Sequence, residues 1–333
     1  MKLRGSLGKR QSSQLQREIE EQPDALATLL EMGRESVIQA AKAIRRFNPE
    51  WVVIAARGTS DNAARYAQYL FGAHNQLGVG LAVPSLFTLY EKPPRLDRAL
   101  TIGISQSGQS PDIVSVIAEA RRQGGATLCI TNDPESPLAA ASQSTVAIQA
   151  GEERSIAATK TYSNQLMAIA MLSAALLDEE ERWEELQQVP VAVGSALGMN
   201  RCLEVSAPFV DASKFLILGR GYNYATAFEI ALKIKETSYV LAEPYSIADL
   251  LHGPMAMVEK GLPIMIVAPS GRTLETISEH VAEFERRGAP LVVISDRDDL
   301  LDRAEAPVPL PQGVPEWISP IVAITPGQLW PKR

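Results

Sequence analysis

Three short runs, at 51–56, 100–104 and 126–131, carry aliphatic and β-branched side chains without the alternation of a half-exposed strand. Such runs predict strands buried on both faces. Between them, 63–71 and 112–122 place apolar residues at helical spacing, which predicts helices laid on a sheet. The second half repeats the pattern with predicted strands at 215–218, 264–268 and 290–295. Strands alternating with helices of this length predict βαβ units and parallel sheets, an α/β fold.

The repetition extends to individual residues. Arg57 and Arg220, Gly108 and Gly271, and Asp133 and Asp296 each lie 163 positions apart. A duplicated α/β unit is therefore expected. Its anticipated parts are an N-terminal helical segment at 1–33, a first domain at 34–177, a linker at 178–199, a second domain at 200–322 and a short tail at 323–333. The acidic stretch DEEERWEELQQVP, from Asp178, reads as the end of a long helix followed by that linker.

Chemistry concentrates where TIGISQSGQS, residues 101–110, breaks from apolar side chains into hydroxyls, amides and glycine. Ser110-Pro111 predicts a helix start, with serine as the cap and proline in the first turn. First-turn N–H groups lack intrahelical partners, and the helix dipole adds positive character there. Gly108 would let an anion approach the main chain, and Ser105, Gln106, Ser107 and Ser110 could donate to it. Together they form a cup suited to a phosphate monoester, needing neither metal nor lysine. The plainer alternative is a turn whose serines satisfy only the backbone. The second repeat has Ala268 and Pro269 in place of Ser105 and Gln106, so one copy keeps the cup and the other has lost it.

The opposite asymmetry lies on the helix after the first strand of each repeat. In AFEIALKIKETSY, Glu229, Lys233 and Glu236 share a face, whereas the matching Tyr66, Leu70 and Ala73 are uncharged. Taken alone, such a stripe reads as a solvated face with a modest ion pair. His252, just before Gly-Pro, would by itself be structural.

Composition narrows the function classes. A net charge of −7 with no Lys/Arg block argues against a nucleic-acid partner. The longest uncharged apolar run, 166–177, is shorter than the roughly 20 residues that span a bilayer. The polar N-terminus has no signal-peptide core, so a cytoplasmic protein away from membranes is expected. Two cysteines, Cys129 and Cys202, and three histidines offer no zinc spacing and no disulfide framework. GxxxxGK[ST] is absent, and GRGYNY is only a fragment of a dinucleotide fingerprint, so no cofactor is expected.

RGTS at 57–60, SQSGQSPD at 105–112, RSIAATKTY at 154–162, ALKIKE at 231–236 and LHGP at 251–254 follow in order along this duplicated chain. Together they resemble the double SIS (sugar isomerase) family. Within it, the likeness is to the isomerase half of glucosamine-6-phosphate synthases (glutamine–fructose-6-phosphate aminotransferases) and to stand-alone SIS-type glucosamine-6-phosphate deaminases. It runs from EIEEQP at 18–23 to PGQL at 326–329.

The resemblance implies two tandem SIS domains, each a parallel sheet flanked by helices in a flavodoxin-like three-layer sandwich. It implies that Ser105, Gln106, Ser107 and Ser110 hold a sugar phosphate with Thr59 and Ser60, and that Ile156 and Ala157 line the sugar pocket. Glu236 would shuttle a proton between C1 and C2, with Lys233 beside it biasing its ionisation. His252 would assist ring opening from the neighbouring subunit of a homodimer with shared active sites. The implied substrate is a hexose or hexosamine 6-phosphate, isomerised with amine release or transfer and without a cofactor. The alternatives are a non-catalytic sugar-phosphate sensor and a fructosamine-6-phosphate deglycase. Because Met1 lies about 20 residues ahead of the EQP segment, no glutaminase half is expected. The family's C-terminal lysine, which forms an imine with the open-chain ketose, is not assigned to Lys332 in LWPKR.

Overall fold

The computed structural model describes residues 13–199 and 202–330. Residues 1–12 of the anticipated N-terminal segment, the anticipated domain start at residue 200, and Lys332 lie outside these. The first sheet comprises β1 (Trp51–Ala55), β2 (Val79–Leu81), β3 (Ala99–Ser105), β4 (Ala126–Thr131) and β5 (Ser144–Ala147), in the order β2-β1-β3-β4-β5. The second comprises β6 (Lys214–Gly219), β7 (Leu241–Ser246), β8 (Ile264–Val267), β9 (Leu291–Ser295) and β10 (Ala306–Pro309), in the order β10-β9-β8-β6-β7. Every pairing is parallel. The two orders are the same once each strand is matched to its counterpart in the other repeat.

All six sequence-predicted strands are present. The four that the pattern did not reveal, β2, β5, β7 and β10, are the sheet edges. Each is three or four residues long or interrupted by proline, so none forms the continuous apolar run of an interior strand.

The longer helices are α1 (Gln14–Glu20), α2 (Gln22–Phe47), α3 (Thr59–Asn75), α4 (Pro111–Arg122), α5 (Lys160–Leu177), α6 (Glu180–Gln187), α7 (Val189–Met199), α8 (Tyr224–Ser238), α9 (Leu274–Arg286) and α10 (Ser319–Gln328). The apolar run 166–177 lies in α5, which is packed on nearly all sides because it fills the centre of the molecule. Among the described residues no helix is long and apolar enough to cross a membrane.

The segment anticipated as a linker, 178–199, forms two packed helices. Asp178 ends α5 in the left-handed region (φ 63°), and α6 and α7 follow. Trp183, Leu186, Val189, Val193 and Ala196 are buried in the main core. Their three- and four-residue spacing is helical, but the surrounding glutamates disguise it.

The largest apolar cluster joins both halves. It includes Ile54 and Leu128 of the first sheet, Ile217 and Val292 of the second, and residues of α2, α5, α8 and α10. Tyr66 of α3 donates its hydroxyl to the Trp317 carbonyl at 2.8 Å, a further tie between the halves. Cys129 and Cys202 are buried thiols not joined in a disulfide, and burial pushes the Cys129 thiol up to about 12.

Candidate active site

In the first sheet the chain turns outward in one direction from β1 to β2, and in the other from β3 to β4. The loops after β1 and β3 therefore open side by side at the carboxyl edge, where parallel α/β sheets bind ligands. These loops carry ARGTS and SQSGQS.

β3 is buried along its whole length and delivers Ser105 to this edge. The Ser105 hydroxyl accepts the Gly108 N–H at 3.1 Å, and that of Ser107 accepts the Gln109 N–H at 3.3 Å. The serines therefore do satisfy the backbone, as the plainer alternative supposed. A hydroxyl that accepts one bond still has its own proton to donate, so this does not use up the cup. The Gln106 carbonyl is held by the Asn132 N–H at 3.0 Å and the Thr131 hydroxyl at 3.2 Å.

Two details correct the expected cup. Ser110 occupies the cap position of α4, but its side chain makes no capping bond. Its ψ is 114°, against 159° at Ser13 and Ser136, whose side chains do cap. Gly108 (φ +62°) is required by its neighbour as well: a Cβ there would lie 2.1 Å from the Ser136 hydroxyl. That hydroxyl caps the short helix Pro137–Ala141, so packing within the loop demands the glycine before any ligand does.

Glu229 and Lys233 of the stripe are buried, contrary to the reading of it in isolation as a solvated face. α8 packs against α3 across the two repeats, and Glu229 is fully buried. Its carboxylate accepts the Thr59 hydroxyl at 3.0 Å and the Asn62 amide at 2.7 Å. Burial pushes the Glu229 carboxyl above its ordinary value, against the opposing pull of Lys233, Asn62 and Thr59. The Lys233 ammonium lies 3.3 Å from Glu229 and 2.6 Å from Glu236, and also donates to the Thr59 hydroxyl at 3.2 Å. Only the Glu236 end of this row reaches solvent, with its side chain 34% exposed.

Thr59, expected on the phosphate, bonds Glu229 and Lys233 of α8 in the second repeat. Ser60 is buried and accepts the Gln165 amide at 3.0 Å. The loop between Ala56 and Thr59 is tied back to the cup helix, since Arg57 pairs with Asp112 in the first turn of α4 at 2.8 Å. Asn62 and the Arg57–Asp112 pair were not anticipated. Asn62 falls three residues after Thr59 on α3, a spacing that could have marked it once Thr59 was suspected.

Ala157 is buried with Leu15 and Ile19 of α1, while Ile156 is fully exposed. His252 lies exposed in the turn after Ile247–Leu250, its N–H on the Asp249 carbonyl at 3.1 Å. Among the described residues no hydrogen bond or ion pair joins it to Lys233, Glu236 or the cup. No three His, Cys, Asp or Glu side chains of the described residues gather as a metal ion would require.

The SIS-domain family model matches residues 47–175 and 209–300. The glutamine–fructose-6-phosphate aminotransferase (isomerizing) of Thermococcus kodakarensis is 33% identical over 323 residues, covering 94% of this chain and 53% of its own. The chain thus spans about half the length of the curated relatives it matches. A protein assigned as a phosphosugar isomerase from Silicibacter pomeroyi DSS-3 superposes with a TM-score of 0.86 at 33% identity, covering 96% of this chain and 97% of that one. The C-terminal domain of the glucosamine-fructose-6-phosphate aminotransferase of Francisella tularensis gives 0.84 at 28% identity, with 96% and 95% covered. With its repeated five-stranded parallel sheets, the chain belongs to the SIS-domain family, as two tandem domains homologous to the isomerase half of these aminotransferases.

Proposed function

We propose that this chain is a phosphosugar isomerase that interconverts glucosamine 6-phosphate with fructose 6-phosphate and ammonia. The observation that carries this reading is the row Glu229–Lys233–Glu236, buried at one end and open at the other, joined through Thr59 to the loop beside the cup. A protein that only senses a sugar phosphate needs the cup but no carboxylate held against a buried ammonium.

In this reading the N–H groups of the first turn of α4 and the hydroxyls of Ser105, Ser107 and Ser110 hold the phosphate, leaving C1 and C2 of the open-chain sugar at Glu236. The Glu236 carboxylate takes the C2 proton, giving an enolamine. Returning that proton to C1 yields the 2-imine of fructose 6-phosphate. Water adds to that imine carbon, and ammonia leaves. Lys233, 2.6 Å from Glu236, holds that carboxylate in place and offers positive charge to the oxygen developing at C1. His252, exposed on its own subunit, would serve ring opening in the site of a partner subunit.

The test is release of ammonia and fructose 6-phosphate from glucosamine 6-phosphate by the 333-residue chain. Equal release of both is expected, and Glu236→Gln should lower kcat by about 10²- to 10⁴-fold while leaving phosphosugar affinity within about twofold. Binding without turnover would replace the enzyme with a sugar-phosphate sensor. Turnover of fructosamine 6-phosphate alone would make it a deglycase.

A further inference from the structure

The segment 151–159 adjoins the cup, and a helix from the start of the described chain holds it there. Asn132 makes the inner connection: its backbone N–H bonds the Gln106 carbonyl at 3.0 Å, and its side-chain amide bonds the Gly151 carbonyl at 2.7 Å. Its side-chain oxygen also accepts the Ala150 N–H at 3.0 Å. Any displacement of this loop is therefore felt at the backbone of the cup.

The outer connection is α1. Glu18 has no solvent exposure, and its carboxylate receives the Arg154 N–H at 2.7 Å and the Ser155 N–H at 3.2 Å, with the Gln14 amide at 2.8 Å. Burial opposes its ionisation, but the bonds from Ser155, Gln14 and Arg154 outweigh that and hold the carboxyl below its ordinary value. Leu15 and Ile19, flanking Glu18 on α1, bury Ala157. Beyond the loop, buried Lys160 pairs with Glu21 at 2.6 Å. Buried Gln22 bonds Gln328 at 2.8 Å, and Gln328 in turn donates to the Thr159 carbonyl at 3.3 Å. Within the loop, Glu153 closes the neck by accepting the Thr159 N–H at 2.8 Å. A fully buried carboxylate on a seven-residue helix, with two successive loop N–H groups on it, is a specific contact.

We propose that Glu18 is a positioning residue of the phosphosugar site: its carboxylate fixes loop 151–159 against the cup, with α1 as a strap across it. This rests on the phosphosugar reading above. Glu18 touches no reacting atom in this arrangement. It acts through the loop.

Two measurements on the full chain test it separately. Hydrogen exchange without ligand should show the amides of 153–157 exchanging at least about 10-fold faster in Glu18→Ala than in the wild type, with β3 and β4 unchanged and Glu18→Gln intermediate. With the wild type and both variants, KM for the phosphosugar and the Kd of fructose 6-phosphate should rise about 10-fold or more in Glu18→Ala while kcat stays within about threefold. Unchanged loop exchange, or loosening that spreads into β3 and β4, would overturn the strap. A loosened loop with unchanged KM and Kd would overturn the positioning role. A wild-type chain that binds no phosphosugar would remove the functional reading and the positioning role together, while the exchange result would still decide whether α1 holds the loop.

Discussion

The two repeats begin the equivalent helix in opposite ways. In the first, the loop before α4 presents serine hydroxyls, Ser110 leaves the first turn uncapped, and the nearby Asp112 carboxylate is turned to Arg57. In the second, the loop before α9 is met by the chain itself. Glu316, from the connection between β10 and α10, brings its carboxylate to the Thr273 N–H and hydroxyl, each at 3.4 Å. It lies so close to Gly271 that a Cβ there would come within 2.3 Å of the Glu316 carboxyl carbon. Asp296 takes the adjacent Ser270 N–H at 2.7 Å. One repeat leaves its donors at the carboxyl edge uncapped, and the other has filled the corresponding place with its own carboxylates. The polarity reverses on the helices after β1 and β6, where α8 supplies Glu229 and Lys233 and α3 supplies the neutral Thr59 and Asn62. Duplication let each copy give up what the other kept.

The largest effect on this division of labour should come from Lys233→Met, which leaves Glu229 buried beside α3 without its cation. A loss of about 3–5 kcal/mol is expected from urea unfolding, as when one partner of a buried pair is removed. A loss under about 1 kcal/mol would mean the row does not hold the repeats together. Next, Ser105→Ala with Ser107→Ala should weaken fructose 6-phosphate binding about 10- to 100-fold by calorimetry, since bonds to a charged group contribute about 1.5–3 kcal/mol. Thr273→Ala in the second repeat should leave that affinity within about twofold, and equal losses in both repeats would erase the asymmetry.

Smaller still, Gly271→Ala should cost about 1–3 kcal/mol in thermal unfolding by pushing against Glu316, with phosphosugar affinity kept. Gly108→Ala should cost a similar amount and lose affinity too, because its Cβ would strike Ser136 beneath the cup. Least in size is a pH effect. The raised carboxyl of Glu229 holds a proton in the folded chain that the unfolded chain has already released above the ordinary value of 4.5. Stability from this group therefore falls as pH rises from there through the raised folded value. Urea midpoints from about pH 4 to about pH 7 should show wild type losing ground to Glu229→Gln as pH increases. A gain would reverse the assigned sign.

Contiguity decided what could be read from the sequence. The interior strands show as runs that must be apolar on both faces, and the cup shows because its hydroxyls, glycine and helix start fall within residues 105–111. The edge strands lack that requirement, and prolines at 244, 307 and 309 argue against strands locally. The joint of Glu229 with Asn62 and Thr59 spans 167 and 170 residues of chain. Nothing in AFEIALKIKE says which face is covered, so the stripe looked solvated, whereas α3 covers its Glu229 and Lys233 end. The packing of Ala157 under α1 was equally hidden, because Leu15 and Ile19 lie about 140 residues earlier in the chain.

The apolar cluster common to both sheets has a consequence for how the molecule comes apart. Its members include Ile54, Leu128, Ile217 and Val292, with the long helices α2 and α5 contributing from the first half and α10 from the second. Separating the halves would expose this surface at once, which penalises melting one half while the other stays folded. The chain is two domains by ancestry, and the shared cluster predicts that it unfolds as one unit: calorimetry should register a single endotherm in which the cup and the Glu229–Lys233–Glu236 row are lost together, and two endotherms would show that the halves melt apart.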